Sequence, residues 1–273
     1  MDERRNFAIL PHLGLGDALA LKGLARWVAS LGDEVVWIGL RKYQKSLQSI
    51  FADIDNVQIL LVDSDADVSP VFGSDGRLWQ RLEREGYAVL PLGQHAASDW
   101  LGLDSLWTRC LYKQLGVPPS AMYSHFGTLG RDDARNREVA GIAARHLGER
   151  YVVVHDDPAR DMAIDASWLP ADLPRIHVDD PRIRSNDITD YLDLIAAAAE
   201  MHCIESCFAL MADLHFEPGA GPRRVVHETP GRPCVPPGLY RGTEVARHGI
   251  ATPPANASAS ASAVGPDGRR ISL

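Results

Sequence analysis

The feature that most narrows the fold of this chain is an alternation of short apolar runs of strand length with segments of helical spacing. In the first half, F-A-I-L-P precedes a helical pattern over Asp17 to Ser30, E-V-V-W-I precedes Tyr43 to Phe51, and N-V-Q-I-L-L-V precedes Arg77 to Glu85, before the run Y-A-V-L-P-L. Strand-length runs this uniformly apolar are buried on both faces, which is the condition of a parallel sheet with helices packed above and below. The leucine-rich segment Asp99 to Leu115 predicts one more helix or a pair.

G-V-P-P-S, from Gly116 to Ser120, breaks the pattern, and a second series follows. Arg135 to Leu147 reads as a helix, Y-V-V-V-H and R-I-H-V-D as strands, and Asp187 to Met201 as one long helix. Asn186 is its expected cap, with Asp187 and Asp190 in the first turn, and its alanine run predicts close approach to the sheet. H-C-I-E-S then gives a short strand, F-A-L-M-A-D-L a helix and R-R-V-V-H a final strand. The expected class is α/β, with two Rossmann-like parallel-sheet domains over 1–117 and 118–250. From about Thr252 the residues are small and without period, too poor in apolar groups to offset the entropy of ordering, so 251–273 is expected to be a disordered tail.

Of the 273 residues 45% are apolar, enough for one large core or two modest ones, and the formal charge is -8. Acidic residues are scattered, and no basic, aromatic-interleaved face points to long nucleic acid. The four cysteines, Cys110, Cys203, Cys207 and Cys234, lack paired spacing, which suits a reducing compartment. No run reaches membrane-spanning length, and the apolar stretch after M-D-E-R-R is too short for a signal peptide. A cytoplasmic location is expected, with no transmembrane segment; a homo-oligomer is compatible with these features. Alternating carboxylates in D-S-D-A-D-V lack the remaining positions of a calcium loop, so a solvated loop is preferred and no metal site is expected.

Three patches carry candidate chemistry. In P-H-L-G-L-G-D, a strand runs through a glycine-bearing turn into a helix, an arrangement suited to holding a ligand. Asp17 has two readings, an N-cap or a general base projecting into a cleft. His12, Gly14 and Gly16 would contact an acceptor or shape the loop, and His12 is equally suited to a backbone carbonyl. Neither a third dinucleotide glycine nor a G-K-S/T is present, which disfavours NAD and removes the P-loop. In Y-V-V-V-H-D-D-P-A-R-D, His155, Asp156 and Asp157 follow a strand. Arg160 stands nearby either as a phosphate clamp or as an ion-pair partner of Asp156 or Asp161. In M-H-C-I-E-S-C-F, Ser206 opens a helix whose amides would form a phosphate nest, Glu205 would meet ribose or sugar hydroxyls, and His202 joins them. Read one at a time, Ser206 is an ordinary cap and His202 a core histidine.

These elements, in this order, resemble a GT-B-type glycosyltransferase, in particular the heptosyltransferase-related group and, in the setting of H-D-D-P-A-R-D, the fucosyltransferase-like group. L-G-L-G-D matches the family's L-G-D turn, whose aspartate acts on the acceptor hydroxyl, which carries the base role onto Asp17. E-S-C-F-A-L corresponds in placement to the family's D-S-G-x-x-H, with Ser206 on the serine, Cys207 in place of glycine, and no histidine at the expected step. The resemblance implies a compact GT-B arrangement with two domains facing a cleft. Transfer would be metal-independent, from a nucleotide-sugar co-substrate to a hydroxyl of a small-molecule, glycan or glycosylated acceptor, with no further cofactor. His155, Asp156, Arg160, His202, Glu205 and Ser206 fall on the donor side. The alternatives are a nucleotide-sugar epimerase or hydrolase on the same fold, and a nucleotide- or glycan-binding module without chemistry.

Overall fold

The computed structural model of the protein describes residues 5–68, 76–92, 111–113, 115–157, 162–228 and 240–247, with backbone alone at 263–264 and 270–271. Two parallel sheets are built in succession. The first contains β1 (Arg5–Ile9), β2 (Gly32–Leu40), β3 (Val57–Val62) and β4 (Tyr87–Leu90), in the order β3-β2-β1-β4. Its helices are α1 (Leu15–Ala29), α2 (Gln44–Phe51) and α3 (Arg77–Arg84). After a short helix α4 (Ala121–Ser124) and α5 (Asp133–Leu147), the second sheet contains β5 (Val152–His155), β6 (Arg175–His177), β7 (Glu200–Ile204), β8 (Arg223–Glu228) and β9 (Glu244–Arg247), in the order β6-β5-β7-β8-β9. Helices α6 (Leu192–Ala197) and α7 (Cys207–His215) flank β7 in sequence. Strand alternation sends Val152, Val154 and Ile204 to a face covered by Ile164, Leu169 and Trp168, and sends Val153, Cys203 and Val226 to the main core.

Within the described residues the expected strands and helices are present in their expected order, with three corrections and one added strand, β9. The helix foreseen over Asp187 to Met201 is broken. A 3-10 turn at Ile188–Tyr191 leads into α6, which stops at Ala197, and Ala198 turns extended at ψ 150°. Glu200 to Ile204 is required as a central strand between β5 and β8, so sheet pairing overrides the high helix propensity of the alanine run. The alanines do not approach the sheet as a group, since Ala196 and Ala197 are exposed. The cap is Asp187 rather than Asn186: its carboxylate accepts from the Thr189 amide at 2.9 Å. Third, α1 begins at Leu15, so Asp17 lies inside the helix and Gly14 is the N-cap.

Most of the leucine-rich segment Asp99 to Leu115 lies outside the described residues, as do Cys110 and Cys234. So does the expected tail, apart from a two-residue antiparallel ladder joining 263–264 to 270–271.

The two halves share one core. The largest apolar cluster runs from Ile9, Leu19 and Trp37 through to Val153, Met201 and Met211, and α1 packs directly against α7. Two polar joints reinforce that contact. On α2, the buried Ser46 hydroxyl donates to the Asn186 carbonyl at 3.2 Å and accepts from the Ile188 amide at 3.0 Å, while Ser49 donates to Asp187. On the other side, Tyr123 of α4 donates to the fully buried Asp213 of α7 at 3.1 Å. Asp213 also accepts from the Arg241 and Gly242 amides and the Thr243 hydroxyl at 2.8 to 2.9 Å. Each such bond contributes about 1 kcal/mol, and more where a charged acceptor is buried.

The connection between the sheets is anchored to α1 by a buried cation. Lys22, fully shielded, pairs with Asp53 at 2.9 Å, donates to the Thr128 carbonyl and lies 4.8 Å from the Phe126 ring centre. Asp53 also pairs with Arg26 at 2.5 Å and accepts from the Thr128 amide at 2.6 Å. A buried ammonium costs several kcal/mol unless it is paired in this way. The cluster therefore holds residues 126–128 at one place on α1.

Candidate functional site: two helix N-termini at the join

The site is built where the carboxyl ends of β1, β5 and β7 meet the first turns of α1 and α7. Gly14, extended at φ -75° and ψ 151°, caps α1 with no side chain to offer. The carboxylate of Asp17, at the third helical position, supplies the missing acceptor by turning back to the Gly14 backbone N–H. This is one half of a reciprocal capping box, and the dipole at the helix N-terminus favours the negative charge. A Cβ on residue 14 would lie 2.8 Å from Asp17 Oδ2, so the carboxylate occupies the space a side chain would fill.

Capping and proton transfer are compatible, because a carboxylate has about four acceptor positions and the Gly14 amide uses one. Protein crowding around the carboxylate pushes its pKa up to about 7; the charge of His12 and the Gly14 N–H act downward, and Asp65 acts upward. Asp17 as a residue is only half-buried, so desolvation here comes from enclosure by protein on several sides without complete closure. The result is a carboxyl group that exchanges its proton near neutrality, where a general base is most useful. His12 is exposed on the turn before the helix.

Gly16 faces the opposite helix. A Cβ there would lie 4.0 Å from the Cα of Cys207, the first residue of α7. The two helix N-termini thus come together, and Asp17 and Asp157 are near enough to the Cys207 thiol for their charges to act on it. Burial pushes that thiol up to about 11, so it is neutral.

On α7, Ser206 is the N-cap, extended at φ -155° and ψ 169°, and its hydroxyl accepts from the Ala209 amide at a long 3.4 Å. The Cys207 sulfur is held against the backbone N–H groups of Cys207 and Phe208. The first-turn amides expected to meet phosphate therefore have local partners, one a stretched hydrogen bond and the other a weakly accepting sulfur. Sequence reasoning missed this occupation by Cys207; the signal was available, since the first side chain of a helix can fold over its own amide end.

His155, at the carboxyl end of β5, packs its ring on Phe208 with centroids 4.6 Å apart. Its Nδ1 is a buried nitrogen without a hydrogen-bond partner. Burial lowers its pKa to about 4 against the upward pull of Asp157, Asp156 and Asp179, so the ring is neutral at pH 7. Glu205 stands between β7 and the Ser206 cap, near enough to Tyr240 to help hold that buried phenol protonated.

The remaining candidates are engaged elsewhere or lie outside the described residues. Asp156 accepts from the Ile164 amide at 2.8 Å and pairs with His177 at 3.0 Å, which ties down the connection after β5. His202 is buried inside β7, and both ring nitrogens are taken, by His227 at 2.8 Å and Glu200 at 2.8 Å. No ring atom of His202 remains for a donor. Arg160 lies outside the described residues. Among the described residues no group of three or more His, Cys, Asp or Glu side chains is arranged to hold a metal ion, and no helix is long and apolar enough to cross a membrane.

No model of a known protein family matches the chain, and no curated protein matches it. Among solved structures the chain is similar to the crystal structure of the glycosyl transferase family 9 protein from Veillonella parvula DSM 2008. The identity is 10% and the TM-score 0.50, over 93% of this chain and 89% of that one. At that identity the likeness is one of fold: two Rossmann-like parallel sheets facing a cleft, in the GT-B arrangement.

Proposed function

We propose that the protein transfers a sugar from a nucleotide-sugar to an acceptor hydroxyl at the meeting point of α1 and α7. One observation carries the reading: a carboxyl group with a pKa of about 7 on one helix N-terminus faces the amide end of a second helix across the join. The half built on the first sheet presents Asp17 to the acceptor. As the acceptor oxygen forms its bond to the anomeric carbon, Asp17 removes the hydroxyl proton. The bond from that carbon to the diphosphate breaks, and the electron pair leaves with the phosphate oxygen. Charge developing on the diphosphate is stabilised by first-turn amides of α7 and by hydrogen bonding to His155, whose buried Nδ1 has no hydrogen-bond partner within the protein. His12, Gly14 and Gly16 line the acceptor side, and Glu205 and Ser206 the donor side.

The test is D17N. Binding of nucleoside diphosphates should persist while sugar transfer falls by about 10²- to 10⁴-fold. Near-normal transfer would remove Asp17 from the base role. A second reading, ligand binding without turnover, is favoured by one feature, the Cys207 sulfur lying on the amides that would receive phosphate. It predicts saturable nucleotide binding with no consumption of any nucleotide-sugar, whether or not acceptors are supplied.

A further inference from the structure

We infer that Gly14 is the positioning residue of the site: its backbone N–H and the space left by its missing side chain together place the Asp17 carboxylate at the head of α1. The inference rests on the proposed base role only for its consequence in turnover; the placement itself is a matter of geometry. Gly14 has an ordinary extended backbone, so left-handed conformation does not account for glycine here. Space does. An added Cβ would come within 2.8 Å of Asp17 Oδ2 and 3.7 Å of its Cγ, and the Gly14 amide is the carboxylate's backbone partner. Gly16, two residues on, is under no such demand toward Asp17, since its added Cβ meets only the Cys207 Cα at 4.0 Å. Two glycines of one motif thus have different tasks: Gly14 shapes the carboxylate, and Gly16 shapes the approach of α7.

The other groups around Asp17 are His12 from the turn, Asp65 from the 3-10 turn after β3, and Cys207 from α7. None of them occupies the position an added methyl group would claim. A side chain at residue 14 displaces Asp17 Oδ2 from the place it now occupies, and a displacement of about 1 Å at a reacting group costs about 10²-fold in rate.

The experiment follows the Asp17 carboxyl by carbon-detected NMR titration in the full chain, assigned by its loss in D17N, for wild type, G14A, G14S and G16A. G14A and G14S should both move the Asp17 midpoint by more than about half a pH unit, with G16A leaving it in place. Circular dichroism shows whether each variant is folded, and two different side chains at residue 14 guard against failure of either one. An unchanged midpoint in folded G14A or G14S overturns the inference, as does an equal shift in G16A. Where transfer is measurable, kcat in G14A should fall by about 10²-fold with its pH profile displaced, while a KM increase alone would overturn the positioning role. If D17N retains turnover while G14A still moves the titration, the base assignment fails and the placement by Gly14 stands.

Discussion

The first turns of α1 and α7 are built to one plan and finished differently. Each follows a buried parallel strand and points its amides toward the join. In α1 the cap is a glycine, and the acceptor for the cap amide comes from the Asp17 carboxylate three residues on. In α7 the cap is Ser206, whose hydroxyl reaches forward to Ala209, and the next side chain is a neutral thiol. The α1 end therefore carries a titrating negative group of its own, and a second anion there would be repelled. The α7 end carries only neutral, weakly held partners that an anion can displace. Under the proposed function, helices of the same orientation would thus serve as a place for proton transfer and a place for phosphate through the choice of two or three side chains.

The largest expected effect is on the α1 side. D17N keeps shape and cap geometry but removes the proton acceptor, so transfer should drop by about 10²- to 10⁴-fold with diphosphate affinity within about twofold of wild type. A parallel loss of affinity, measured by calorimetry, would show that the two helix ends do not divide the work.

On the α7 side, His155 is neutral when free because burial holds its pKa near 4. An anion beside Nδ1 should raise it, so binding takes up a proton. The affinity for an intact nucleotide-sugar, whose diphosphate does not titrate in this range, should tighten by about tenfold from pH 7.5 to 5.5, and H155Q should flatten the dependence. Calorimetry in buffers of different ionisation enthalpy measures the proton directly. A flat profile in wild type would remove His155 from the phosphate site.

A smaller change is expected in stability. Asp17 is raised from 3.8 to about 7 in the folded protein, so the native state holds its proton where the unfolded chain has lost it. That contribution is full below about pH 3.8 and is lost as pH rises through about 7. D17N escapes the loss and should be more stable than wild type at pH 8 by about 1–2 kcal/mol, after discounting for partial exposure, and less so at pH 5. Thermal melts at the two pH values check the sign. His155 runs the other way: its pKa is lowered from 6.5 to about 4, so its contribution is present above pH 6.5 and is lost as pH falls through 4.

The smallest effect sharpens the account of the α7 amides. C207A removes the sulfur from the first two N–H groups without altering the Ser206 cap, and nucleoside diphosphate affinity should rise by about two- to fivefold, the scale of a helix-terminus contribution. A weaker complex would show that the thiol helps to hold phosphate.

The alternating strands and helices were legible because each apolar run had to fill a buried slot in a sheet, and the same logic placed Asp17 and Ser206 at strand ends. What was not legible was long-range or depended on competition. Ala196 to Ala199 favour helix locally, but β7 needed the following residues as its central strand. The strand Glu244–Arg247 is an edge whose two charged ends are exposed and whose apolar pair, Val245 and Ala246, is too short a run to mark a strand. His202 looked like a ligand beside Ser206, yet its partner His227 is 25 residues away and occupies the ring nitrogen from within the sheet. Ser46 and Asp187 are each unremarkable in sequence, and only the folded chain brings α2 onto the cap of the Ile188–Tyr191 turn.

Asp213 accepts from Tyr123 near one end of the crossover and from Arg241, Gly242 and Thr243 just before the last strand of the second sheet. That single carboxylate makes the edge of one sheet and the connection between both answer to the same buried side chain. Shortening the chain before residue 241 would strip three of its donors at once, and the damage would be felt at the join, far from the cut.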